Sequence, residues 1–133
     1  MNIICVVQAR TTSKRLPNKV LLNLPYGRNK TVLEQVIQRV SNSKYIKKII
    51  VATTVNKEDD KIQEICSKVS VDCYRGSEED VLSRYYEVAM KEKADHIVRI
   101  TSDCPCIDYE IIDDLIELHI KNNNDFSSNN QIL

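Results

Sequence analysis

The sequence predicts an α/β fold built on a mostly parallel sheet, with right-handed βαβ crossovers. Two observations carry this expectation. Short apolar, β-branched runs recur along the chain, each of a length that suits a strand buried on both faces. Between them lie longer segments whose apolar positions repeat at helical spacing. A third observation bounds the answer: 133 residues, 42% hydrophobic and 29% charged, make one domain of ordinary size, and no internal repeat or linker interrupts it.

Residues 3–7, Ile-Ile-Cys-Val-Val, form the first strand, and a polar loop over 8–19 follows it. Pro25-Tyr26-Gly27 is a turn. Thr31-Val32-Leu33-Glu34 reads as a capping box that opens a helix over 32–42, with Val32, Leu33, Val36, Ile37 and Val40 on one face. Residues 48–53 make a second strand. Asn56 is expected to cap a helix over 57–69 whose stripe is Ile62, Ile65, Cys66 and Val69. A short strand at 71–74 leads into the turn Arg75-Gly76-Ser77. Ser77 and Asp80 then suit the start of a helix over 78–91 that presents Val81, Leu82, Tyr85 and Ala89, with Tyr85-Tyr86 as a mostly core-facing pair. Residues 96–101 form the fourth strand, Asp108 caps a helix over 109–121 along Ile112, Leu115, Ile116 and His119, and Asp125-Phe126-Ser127 is expected to begin a fifth strand.

Composition excludes several functions. With only two glycines there is neither a phosphate-binding Walker loop nor a dinucleotide fingerprint. Five cysteines are an odd number without finger-like spacing, so neither a disulfide framework nor a zinc site is indicated; Cys104 and Cys106 flank Pro105 without a second pair or a nearby histidine. No stretch reaches transmembrane length and the apolar start lacks a basic leader, which points to the cytosol and away from a membrane. The balanced charge of 19 cations and 19 acids conceals an asymmetry: residues 1–50 carry ten Lys or Arg and one acid, Glu34. A basic first half facing an acidic second half suits an anionic ligand held with a divalent cation, as scattered surface charge also would.

In a parallel sheet, loops 8–19, 53–56, 75–77 and 102–107 gather at the strands' C-terminal ends, where ligands of open α/β sheets sit. Loop 8–19 brings Arg10, Lys14, Arg15 and Lys19, a set suited to a polyphosphate, or in the blander reading a solvated basic turn. Asp103, just past the fourth strand, is either a hard carboxylate for Mg²⁺ or a turn-forming aspartate. Arg99 is expected to border the sheet or pair with a buried acid. His96 and His119 stand without a nucleophile partner, and Ser13, Ser77 and Ser102 lack a nucleophile-elbow context.

Taken together, Gln8-Ala9-Arg10, Ser13, Arg15-Leu16-Pro17 and Lys19-Val20-Leu21 resemble the N-terminal signature of the cytidylyltransferases that activate acidic sugars. Ala52-Thr53-Thr54, the run Arg75-Gly76-Ser77-Glu78-Glu79-Asp80-Val81-Leu82, Arg84-Tyr85-Tyr86, Arg99-Ile100-Thr101 and Asp103-Cys104-Pro105 are similar to the branch of the spore-coat polysaccharide biosynthesis protein F family. The resemblance covers nearly the whole chain. It implies a nucleotide-diphosphosugar-transferase-like α/β/α sandwich, Rossmann-like, that binds CTP and Mg²⁺ and joins CMP to a sugar acid with release of pyrophosphate. On that resemblance Arg10, Arg15 and Lys19 neutralise the triphosphate, with Arg10 and Lys19 the catalytic cations, and Asp103 holds the metal. Gln8, Ala9, Ser13, Ala52, Thr53, Gly76, Ser77 and Thr101 complete the nucleotide-binding set, while Lys14 falls on no motif position and is a surface cation.

Thr101 and Ser102 stand where related sugar-acid enzymes often carry Gln and Gly, a difference placed at base recognition. Family members are about twice this long, and their second half supplies the sugar-binding wall, a further metal-binding acid and much of the dimer contact. Residues 1–133 therefore resemble the nucleotide-binding, N-terminal part alone. Two further readings stay open beside transfer of CMP: a glycosyltransferase using a nucleotide sugar, and a non-catalytic nucleotide-binding module. Neither nucleic acid nor membrane is an expected partner; a homodimer is compatible with the resemblance.

Overall fold

A computed structural model describes residues 1–11, 21, 30–102 and 107–127. Four strands, β1 (Ile3–Gln8), β2 (Lys48–Thr54), β3 (Asp72–Gly76) and β4 (His96–Thr101), form one sheet in the order β3-β2-β1-β4, every neighbouring pair parallel. Each strand is separated from the next by a helix, α1 (Val32–Val40), α2 (Asp60–Lys68) and α3 (Val81–Glu92), and α4 (Tyr109–Lys121) follows β4.

Period-two alternation in the central strand divides the core. Ile3, Cys5 and Val7 point to the face covered by Leu33, Val36, Ile37 and Val40 of α1, Ile62 and Cys66 of α2, and Ile112 and Ile116 of α4. Ile4 and Val6 point to the opposite face, where Tyr85 and Val88 of α3 close over Ile50 and Ala52. The result is the expected three-layer α/β/α sandwich, with both faces of β1 buried, which is why its sequence is continuously apolar rather than alternating.

The helix starts follow side-chain chemistry. Thr31 Oγ1 accepts from the Glu34 amide at 3.1 Å and its hydroxyl reaches the Glu34 carboxylate at 3.2 Å, so the Thr–Glu pair caps α1 as expected. Asp108 accepts from the Glu110 amide at 2.8 Å and starts α4.

Other expectations are corrected. Asn56 does not cap; its side chain donates to Glu78 Oε2 at 2.7 Å, and a 3-10 turn, Lys57–Asp59, precedes α2. The third helix begins at Val81 rather than 78, because Asp80 accepts from the Ser83 amide at 3.0 Å while Ser77 Oγ accepts from the Asp80 amide at 3.2 Å. On α3 Val81, Arg84, Tyr85 and Val88 lie inward, and Leu82 at 75% and Tyr86 at 64% are exposed. No strand forms at 125–127: Ser127 Oγ instead lies 2.8 Å from His119 Nδ1 on the last turn of α4. The turn expected at Pro25-Tyr26-Gly27 lies outside the described residues.

Candidate functional site at the C-terminal sheet edge

The register aligns the residues that matter. Gln8 pairs with Ala52 on one side and Thr101 on the other, and Ala52 pairs with Tyr74, so one row crosses the whole sheet at its C-terminal end. One step on, Thr53 faces Arg75 and Thr54 faces Gly76. Backbone bonds extend the row past the strands: Ala9 N–H donates to Ala52 O at 3.0 Å and Ser102 N–H to Gln8 O at 3.0 Å. Of the site residues read from the sequence, this edge gathers Gln8, Ala9, Arg10, Ala52, Thr53, Gly76, Ser77 and Thr101. Ser13, Arg15, Lys19 and Asp103 lie outside the described residues.

Ala9, Ala52 and Thr53 are buried, and form a floor that presents backbone rather than side chain. Arg10 stands exposed above it and takes no hydrogen bond or ion pair among the described residues. Gln8 is held from below, for its Oε1 accepts from the Tyr85 hydroxyl at 2.9 Å, and Arg99 lies 5.0 Å over the Tyr85 ring. Burial holds the Tyr85 phenol above its ordinary range, with the Arg99 charge pulling the other way. Arg99, on the edge strand, thus borders the sheet and stacks on an aromatic ring; no acid pairs with it among the described residues.

Two anchoring groups at this edge carry no local sequence signal. Asp59, completely buried, accepts from the Thr11 amide and the Thr11 hydroxyl, both at 2.8 Å, and from the Thr54 hydroxyl. One carboxylate therefore ties the loop after β1 to the end of β2. Its partner Thr11 is 48 residues away in sequence, beyond the reach of any periodicity argument. Arg75 fixes the neighbouring loop: Nε donates to Thr54 O at 2.7 Å, Nη2 to Asn56 O at 2.6 Å, and Nη1 to Asp60 at 2.5 Å and Gln63 at 2.9 Å.

Gly76 is required by crowding. A Cβ there would lie 2.9 Å from Tyr74 Cε1, closer than real contacts allow, and a tight 3.0 Å from Arg84 Cγ, so these side chains would have to shift. No group of three or more His, Cys, Asp or Glu side chains able to hold a metal is gathered among the described residues. Asp59, the buried carboxylate at the edge, is already engaged by three donors, and Asp103, the metal ligand expected from the sequence, lies outside the described residues. No helix among the described residues is long and apolar enough to cross a membrane.

Comparison with known proteins meets this geometry. A family model described as cytidylyltransferase matches residues 4–133. The chain is 47% identical over its whole length to the uncharacterized protein MJ1063 of Methanocaldococcus jannaschii, covering 54% of that protein. It is 35% identical over 95% of its length to the spore coat polysaccharide biosynthesis protein SpsF of Bacillus subtilis, covering 53%. It is 33% identical over 87% of its length to the 3-deoxy-manno-octulosonate cytidylyltransferase of Pelobacter propionicus, covering 44%. A solved cytidylyltransferase from Leptospira borgpetersenii superposes on 92% of the chain with a TM-score of 0.84 at 39% identity, and the match spans 50% of that structure. The chain thus spans about half the length of the relatives it matches. A parallel sheet whose C-terminal edge assembles Gln8, Arg10, Gly76 and Ser77, with Arg75 and Gly76 ending β3 where a turn was expected, matched by the family model from the first strand onward, makes this chain a member of the cytidylyltransferase family.

Proposed function

We propose that this chain is the nucleotide-binding part of a cytosolic enzyme that transfers CMP from CTP to a sugar acid for a surface or spore-coat polysaccharide. The observation that carries the reading is the row Thr101–Gln8–Ala52, with the exposed Arg10, unpaired among the described residues, directly beyond it. A backbone-lined floor suits a nucleoside, and an exposed cation suits a phosphate. Support for a sugar acid comes from the relatives that are 3-deoxy-manno-octulosonate cytidylyltransferases.

In this reaction a hydroxyl oxygen of the sugar bonds to the α-phosphorus as the bond from that phosphorus to the β-bridging oxygen breaks. Pyrophosphate leaves with the electron pair, and the hydroxyl proton passes to water or a base. Arg10 and Lys19, with Arg15, would hold the phosphates and offset the charge that grows on the leaving group. Asp103 would hold Mg²⁺, which supplies further charge neutralisation on the phosphates.

Thermal melting with CTP, UTP and ATP, each with and without Mg²⁺, tests this directly. Magnesium-dependent stabilisation by CTP, lost in Lys19→Ala and in Asp103→Ala, is the expected result. Absence of any nucleotide response overturns it, and a response to UDP-sugars in place of CTP would favour a glycosyltransferase. A second reading is a module that binds nucleotide without turnover; CTP binding with no pyrophosphate released from any sugar acid would select it.

A further inference from the structure

Arg84 is the largest completely buried side chain among the described residues, 1% exposed, and its Nε, Nη1 and Nη2 all lack a hydrogen-bond partner. A guanidinium carries five donors and stays charged at any ordinary pH, so burying it unpaired is among the least favourable arrangements a protein can adopt. The charges around it explain why no described residue satisfies it. Asp59 is within electrostatic range but is occupied by Thr11 and Thr54, and Glu78 is bonded to Asn56. Arg10 adds a second positive charge from the loop after β1, and desolvation together with that repulsion lowers the Arg84 pKa despite the opposing pull of Tyr85, Asp59 and Glu78.

Its placement is also specific. Arg84 sits in the first turns of α3, packed against Tyr74 and the bare Cα of Gly76, at the same sheet edge as Gln8 and Arg10. The glycine leaves the space that the Arg84 stem occupies.

We propose that Arg84 is a ligand-contacting residue of this edge, a guanidinium held desolvated that receives an oxyanion of the bound substrate in company with Arg10. Rigid, planar donors without competing partners bind phosphate or carboxylate oxygens in pairs, and the surrounding low dielectric strengthens the contact. The oxyanion belongs either to the nucleotide phosphates or to the sugar-acid carboxylate, and the two are chemically alike to Arg84. The inference rests on the nucleotide-binding reading above and adds to it a cation that no sequence motif marks as phosphate-binding.

The test uses the full chain, with inorganic pyrophosphate, CTP and sialic acid as separate probes, in the wild type, Arg84→Met, Arg84→Lys and Gly76→Ala. Without ligand, Arg84→Met should melt at or above the wild type, because a buried unpaired charge is removed while the apolar stem is kept. Its affinity for pyrophosphate or CTP should fall at least tenfold if the oxyanion is a phosphate, or for sialic acid if it is a carboxylate. Arg84→Lys should fold and recover part of the loss, and Gly76→Ala, which displaces the stem, should mimic it.

Arg84→Met and Arg84→Lys proteins that both melt several degrees lower without ligand, or that bind all three probes as the wild type does, would overturn the proposal. So would a wild type that binds none of them. Wild-type binding of pyrophosphate but not CTP, abolished in Arg84→Met, would sink the cytidylyl reading and leave Arg84 standing. CTP and sialic acid both bound by Arg84→Met as by the wild type would do the reverse.

Discussion

Two charges are buried side by side at the sheet's C-terminal edge, and they are treated in opposite ways. Asp59 receives three donors and knits the loop after β1 to the end of β2, whereas Arg84 donates no hydrogen bond to any described residue. The difference separates anchoring from binding. A carboxylate whose acceptor capacity is taken up by the fold contributes rigidity, and a guanidinium whose donors are left open contributes affinity for something that arrives later. The anchored side fixes where the loop after β1 departs, and the open side belongs to the first turn of α3.

The strongest way to break this contrast is Asp59→Ala. It strands the Thr11 amide and two hydroxyls in a buried site, and should cost about 3 kcal/mol of unfolding free energy in urea. Nucleotide-induced stabilisation should fall with it, since Arg10 adjoins the released Thr11. A loss below about 1 kcal/mol would mean that water reaches these groups and that Asp59 is no anchor. Asp59→Asn keeps one acceptor oxygen and should lose about half as much, roughly 1–2 kcal/mol.

Much of this edge was legible before any coordinates. Strands 3–7, 48–53 and 96–101 are signalled by local apolar, β-branched runs, and α1 by a Thr–Glu cap with an apolar stripe, features that depend on neighbours a few residues apart. Parallel pairing then follows from the helices between them, and with it the placement of Gln8, Ala52 and Thr101 in one row. What escaped was whatever depends on distant partners. Asp59 looks like an ordinary acid at a helix start until Thr11 is brought to it, and Arg84 looks like a solvated helix cation until Tyr74 and Gly76 close around its stem. The start of α3 was misplaced for a different reason: Ser77 and Asp80, three residues apart, are both competent caps, and only the backbone path decides between them.

A smaller effect sharpens the comparison from the substrate side. Tyr85→Phe removes the hydroxyl that donates to Gln8 Oε1 and should cost about 1 kcal/mol. It also carries a pH signature. Burial raises the folded-state pKa of Tyr85 above its value in the unfolded chain, so its contribution to stability is complete below about pH 10 and is lost as pH rises through the folded value. Wild-type unfolding free energy should therefore drop more steeply above about pH 10 than that of Tyr85→Phe. Equal slopes would mean that Tyr85 is no more buried than an exposed phenol.

The smallest expected effect comes from the other side of the same helix. On α3 an arginine lies inside and a leucine outside: Arg84 is buried while Leu82 is 75% exposed. Hydrophobicity alone would have assigned them the other way, and the reversal reflects how α3 docks, with Val81, Tyr85 and Val88 packed toward the sheet. Leu82→Lys should consequently change the unfolding free energy by less than about 0.5 kcal/mol and leave nucleotide binding intact. A destabilisation above about 1 kcal/mol would place Leu82 in the core and rotate Arg84 toward solvent. Arg84 would then be a hydrated surface cation, and the contrast with Asp59 would vanish.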